Sequence, residues 1–282
     1  MMQRATFLEC RSHRSARPLA LAAAGLLAGV LGATSPVVAK DKAVEDSLSK
    51  LLTSAQGRIA AGQADSAFAL LRRRLLEEVQ AMATSPPHPL DDRLTRGLVL
   101  TAEAAGKPWE GMSAILAVLP LRPSEPRLHI ALGELELGRG RLEPAIRHFE
   151  RALLLDDHEV DALGGFGQAR GTLGGIEPGK QYFNQLIQAR PQEPAARFGK
   201  GMMLLESGAV DEALSDLSWA IGLDAGEWRF NRAYARARAR QGKVDEATKA
   251  YQQAIRALKQ SGDPLMAERV ALELGALKAG KS

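Results

Sequence analysis

The chain has 282 residues, 45% of them hydrophobic but only 5% aromatic, with 37 basic against 33 acidic side chains and a single cysteine. That apolar content is ample for a folded core, and the scarcity of aromatics suits helices packed through small side chains. One cysteine excludes a disulfide framework and a thiolate metal cluster. A net charge of +4 is too small to mark a nucleic-acid binder.

In chain order, Arg4, Arg11, Arg14 and Arg17 precede an uncharged run from Leu19 to Ala39 that ends Ser-Pro-Val-Val-Ala before Lys40. Small residues at Val37 and Ala39 fit a secretory cleavage site, so residues 1–39 read as a signal peptide cut after Ala39. The protein is then periplasmic or exported, with no stable membrane insertion. The alternative is an uncleaved inner-membrane anchor facing the periplasm, since about 20 apolar residues can span a bilayer. Gly25, Gly29, Gly32 and Pro36 weigh against it. The leader holds Cys10 and four arginines, leaving 33 basic against 32 acidic residues beyond it. The basic pI is thus partly the leader's.

Residues 40–91 read as a leading helix pair turning at Gly62, with Leu48, Leu51, Leu52, Ile59, Ala67, Leu70 and Leu71 inward, followed by a proline-rich linker from Ala83 to Leu90. From 92 to 261 the chain repeats itself every 34 residues. A turn glycine recurs as Gly106, Gly140, Gly174, Gly208 and Gly242, and a small residue five places on as Gly111, Ala145, Gly179, Ala213 and Ala247. Ile115, Phe149, Phe183, Leu217 and Tyr251 form a third column, and Val118, Ala152, Leu186, Ala220 and Ala254 a fourth. The clearest unit, 126–159, predicts helices over about 127–139 and 143–155 that break at Gly140. A pair this short cannot bury its own stripe and needs neighbours of its kind. Residues 262–282 read as a cap: a helix over 265–278 with Ala267, Val270, Ala271 and Leu274 inward and Glu268, Arg269, Glu273 and Lys278 facing solvent.

Thirty-four residues per helix–turn–helix, with Leu132-Gly133, Gly140, Ala145, Phe149 and Ala152 so spaced, resemble a tetratricopeptide repeat. Units 194–227 and 228–261 carry the pattern too, while Val99 stands where the unit at 92 would have its first-helix glycine. The resemblance implies an all-α, right-handed superhelix whose first helices line a concave groove, and a role in binding other proteins.

Residues that could carry chemistry are sparse. The five histidines are scattered, with His129 and His148 on facing helices in packing roles, and there is no serine elbow or phosphate-cradling loop. No enzyme activity, cofactor or metal is expected. Glu134 with Arg139 and Glu143 with Arg147 read as solvated pairs. Arg229, Arg232, Arg236 and Arg240 fall within an arc of about 80° at 3.6 residues per turn. They form a row that could take the carboxylates of an acidic peptide or protein, or a solvated face neutralised by nearby acids such as Glu227.

The unit at 160 is rich in glycine, and its groove positions Asp161, Gly164, Gln168 and Gly171 are nearly bare of side chains. At roughly 1 kcal/mol per helical glycine, this stretch reads either as a flexible seat for a partner's backbone or as a weak unit held by its neighbours. Phe198, Met202 and Leu205, with Ile130 and Leu137, are apolar groove candidates or helix-packing core. Trp219 and Trp228 read as packing together at a unit junction. The whole describes a non-catalytic scaffold outside the cytoplasm, in envelope assembly, export or secretion. The alternative is an accessory subunit of envelope polysaccharide synthesis or export. Neither involves nucleic acid.

Overall fold

The computed structural model describes residues 36–81 and 90–280. Most of the leader, including Cys10, and the linker over 82–89 lie outside them. The chain divides after Lys40, and the helix pairs build the compact unit that starts at Asp41.

Helices α1 (Pro36–Ala60) and α2 (Ala64–Ala81) form the leading pair, turning at Gly62 with φ 74°. Five pairs follow: α3 (Asp92–Ala104) with α4 (Pro108–Val118), α5 (Pro126–Gly138) with α6 (Leu142–Leu155), α7 (Val160–Leu173) with α8 (Glu177–Ala189), α9 (Pro194–Glu206) with α10 (Val210–Leu223), and α11 (Trp228–Arg240) with α12 (Val244–Gln260). Helix α13 (Pro264–Lys278) closes the series. The described residues form an all-α solenoid of helix pairs.

Every repeat column has a packing job. The turn glycines Gly106, Gly140, Gly174, Gly208 and Gly242 all sit at φ between 66° and 90°, a left-handed conformation that a Cβ disfavours. At Gly140 the turn is sealed by Arg141 N–H donating to the Glu136 carbonyl at 2.9 Å, and Lys243 repeats that bond to Arg238 after Gly242. The unit at 160 turns differently, through Gly174 and Gly175 both at positive φ. The large column, Ile115, Phe149, Phe183, Leu217 and Tyr251, is fully buried, and the small column lets the helix axes approach beneath it.

Two joints set the shape. At the first, α7 lies directly on α9. A Cβ at Gly167 would meet the Gly199 carbonyl oxygen, one at Gly171 the Met203 carbonyl oxygen, and one at Gly164 the Phe198 ring. Of the two readings of this glycine stretch, the contacts support the unit held by its neighbours: the glycines are the contact surface for the next unit. The seat is filled by α9, and the predicted weakness of the helix is offset by backbone-close packing.

At the second joint, α13 reaches back to the first 34-residue unit. Leu265 is buried in the same core as Leu52, Leu71 and Leu94. Asp263 meets Arg96 at 2.5 Å, Arg93 donates to the Ser261 carbonyl at 3.1 Å, and Arg269 lies 3.6 Å from Glu103. The solenoid thus closes on itself. Of the charged side chains expected to face solvent on the cap, Glu268, Arg269 and Lys278 are exposed, and Glu273 is drawn in against Arg232.

Candidate functional site: the closed concave face

The first helices of the pairs line the inner face, and they enclose a cavity of about 90 Å³. Arg96 of α3, Glu134 and Leu137 of α5, Asp161, Gly164 and Gln168 of α7, Phe198 and Met202 of α9, Trp228, Arg229, Arg232 and Arg236 of α11, and Met266 of α13 contribute to its walls. Helical spacing explains this. Residues three and four apart share a face, so 229, 232 and 236 on one helix and 161, 164 and 168 on another all point inward.

Arg229, Arg232 and Arg236 of the arginine row line the cavity and Arg240 does not, and the carboxylate partners of all four are already present in the chain. Arg229 pairs with both oxygens of Asp161 and lies 3.0 Å from Glu227. Arg232 grips Glu273 at 2.5 Å, and Arg236 and Arg240 share Glu206 at 2.5 and 2.7 Å. Arg240 also donates to the Leu205 carbonyl. Arg96 completes the set, touching Asp92 at 2.6 Å, Asp161 at 3.5 Å and Asp263. Charge is thus matched within the wall rather than displayed as an open basic strip. Of the predicted apolar residues, Phe198, Met202 and Leu137 line the cavity. Leu205 is buried between α9, α10 and α11, and Ile130 sits in the neighbouring core. Gln168 is half-buried on the wall.

The electrostatics follow from burial and pairing. Burial opposes charge on Asp161, but Arg229 and then Arg96 outweigh it and hold its carboxyl well below the usual range. Burial also opposes charge on Glu206, where Arg236 and Arg240 again prevail. Glu134 behaves oppositely. Burial, with Asp161 beside it, pushes its carboxyl up to about 7. The solvated Glu134–Arg139 pair expected from sequence does not form. Arg139 pairs with Glu136 at 3.0 Å, and Glu134 faces the cavity because position 134 shares the inner face of α5.

The tryptophans are each occupied by guanidinium groups. Arg139 lies 3.5 Å over Trp109, Arg197 4.1 Å over Trp219, and Arg229 4.7 Å over Trp228, with Arg96 at 5.3 Å from the same ring. Trp228 lines the cavity instead of packing on Trp219 at the unit junction. His129 and His148 stack with ring centroids 5.8 Å apart, and burial lowers the pKa of both. Sequence reasoning missed Arg96 and Met266 as wall residues, and Asp263 and Glu273 as the carboxylates that pair with Arg96 and Arg232. The only local signal was Asp263 ahead of a proline-started helix, where its side chain accepts from Met266 N–H at 3.1 Å.

The tetratricopeptide-repeat family model matches residues 165–217 and 210–262. A 99-residue stretch is 35% identical to the cellulose synthase 2 operon protein C of Komagataeibacter xylinus, covering 34% of this chain and 7% of that protein. A 132-residue stretch is 29% identical to superkiller protein 3 of Saccharomyces cerevisiae, covering 44% of this chain and 9% of that protein. The chain therefore spans under a tenth of the length of either curated relative. Among solved structures it is similar to a thermophilic tetratricopeptide-repeat protein of Thermus thermophilus (TM-score 0.42, 20% identity, 65% of this chain and 99% of that one). It is also similar to a tetratricopeptide-repeat protein of Parabacteroides merdae (TM-score 0.41, 18% identity, 82% of this chain and 91% of that one). Among the described residues no helix is long and apolar enough to cross a membrane.

Proposed function

Because the chain is a tetratricopeptide-repeat protein, we propose that it is a non-catalytic scaffold acting outside the cytoplasm, in envelope assembly, export or secretion. It holds a segment of a partner protein against its concave face. The supporting observation is the wall itself. Six helices from different units converge on one inner surface that mixes guanidinium groups (Arg229, Arg232, Arg236), an amide (Gln168) and apolar side chains (Phe198, Met202). That mixture suits a peptide segment with apolar side chains and a carboxylate for Arg232, since Arg229 and Arg236 are already paired with Asp161 and Glu206. The leader pattern of residues 1–39 supports the location.

A photo-crosslinking residue at Gln168, on the wall, and another at Lys249, exposed on α12, test the reading in the native host. We expect a protein captured at 168 and not at 249; equal capture at both positions contradicts it. N-terminal sequencing of the processed protein should begin at Lys40, and a cytoplasmic protein that keeps its first residues would overturn the location.

The second reading, an accessory subunit of envelope polysaccharide synthesis or export, is favoured by the match to the cellulose synthase operon protein. In that setting the scaffold holds a protein of the assembly. Direct glycan binding at the concave face is disfavoured because Trp228, the tryptophan that lines the cavity, already carries the guanidinium of Arg229 on its ring. Cello-oligosaccharide titration should leave tryptophan fluorescence unchanged.

A further inference from the structure

The concave face on which the proposed function places a partner already has an occupant. Helix α13 caps the last repeat, with Met266, Val270 and Leu274 packed in the same core as Tyr251 and Leu258 of α12. A cap needs nothing more than a polar outer side. Here the helix also reaches the concave face: Asp263 takes Arg96, Leu265 enters the core beside Leu52, Met266 lines the cavity, and Glu273, on the same face as Met266 and Val270, takes Arg232. The helix therefore offers the concave face two carboxylates ten residues apart, about 15 Å at 1.5 Å per residue, with an apolar pair close behind the first.

Resting on the reading of that face as a partner site, we propose that α13 is a cis-bound stand-in for the partner. The partner segment is an amphipathic helix of the same chemistry: a carboxylate at its N-cap for Arg96, an apolar pair next, and a second carboxylate ten residues on for Arg232. A buried guanidinium stripped of its carboxylate is costly. Helix α13 is therefore exchanged whole for another acidic helix and is not simply released. That requirement makes the site selective, because a neutral or basic helix would leave Arg232 without its carboxylate and Arg96 with only Asp92 and Asp161.

The test uses the full chain and a labelled synthetic peptide of residues 262–279 as the probe. Asp263→Asn with Glu273→Gln weakens the cis helix and leaves both arginines in place. The peptide should bind this variant at least tenfold more tightly than it binds the unaltered chain. A peptide carrying Asp263→Asn and Glu273→Gln should not bind. Equal affinity for the variant and the unaltered chain overturns the proposal, and so does a dimer formed by exchanged α13 that takes up no peptide. Should the double variant fail to fold, Glu273→Gln alone carries the same comparison with a smaller gain of about threefold, since its ion pair is partly exposed, at 28% and 23%. The two readings fail separately. Crosslinking at Gln168 that captures one protein equally from the unaltered chain and from Glu273→Gln keeps the scaffold and removes the stand-in. Absence of capture from both removes the scaffold, while the peptide titration still decides whether the face accepts an acidic helix.

Discussion

The α7–α9 joint and the α3–α13 joint hold the same solenoid by opposite means. The first removes side chains until backbone meets backbone at Gly167 and Gly171, with the Phe198 ring against Gly164. The second buries charge, setting Arg96 among Asp92, Asp161 and Asp263. A dry backbone contact has no ionisation state and no alternative partner. A buried ion pair depends on both charges being present and can be satisfied by another carboxylate. One joint is fixed by shape, and the other is conditional on chemistry.

The largest effect should come from the charged joint. Arg96→Met leaves three carboxylates facing a neutral side chain, and removing one partner of a buried pair costs roughly 3–5 kcal/mol. A urea midpoint far below that of the unaltered chain checks this, and an unchanged midpoint would place Arg96 in solvent. Next comes the dry joint. Gly167→Ala pushes a methyl group into the Gly199 carbonyl, and overpacking of this kind costs about 1–3 kcal/mol. That loss should persist in high salt, whereas the electrostatic share of the other joint should respond to pH.

The pH dependence has a definite sign. Glu134 titrates at about 7 in the folded chain, against about 4.3 in a free glutamate. Between those values the folded state holds a proton that the unfolded state has lost, so stability falls as pH rises through this window and levels off above it. Glu134→Gln should flatten that slope; an identical slope in the variant would mean that Glu134 is solvated. At the acid end, protonation of Asp161 and Glu206, both depressed by arginines, should destabilise the closed form as pH drops below the ordinary carboxylate range.

The smallest effect concerns dynamics. Amide exchange over 162–173 should be as slow as over 196–207, since α7 is clamped by α9 along its glycine face. Faster exchange in α7 would restore the flexible seat.

The fold was legible because helix packing between adjacent units is local. Every unit must put a small residue where Ala145 sits and a large one where Phe149 sits, so the constraint repeats in the sequence. The site was half legible. The arginine row announces its face through its own spacing, but its partners lie 68, 30 and 41 residues away at Asp161, Glu206 and Glu273. No periodic pattern couples them. The Arg96–Asp263 pair spans 167 residues and depends on how far the superhelix turns, which is a sum of small rotations that no single unit encodes. The glycines left two readings open for a related reason. Helix propensity is a local cost, and the compensating approach of α9 is tertiary.

Closure of the solenoid is most directly tested by a double-mutant cycle between Arg96 and Asp263, using Arg96→Met, Asp263→Asn and the combination, followed by urea unfolding. The closed solenoid predicts a coupling of at least about 1.5 kcal/mol, as residues in one ion-pair network couple by roughly 0.5–3 kcal/mol. Additivity within about 0.5 kcal/mol, the behaviour of distant independent sites, would mean that α13 does not reach α3 and that the concave face stands open.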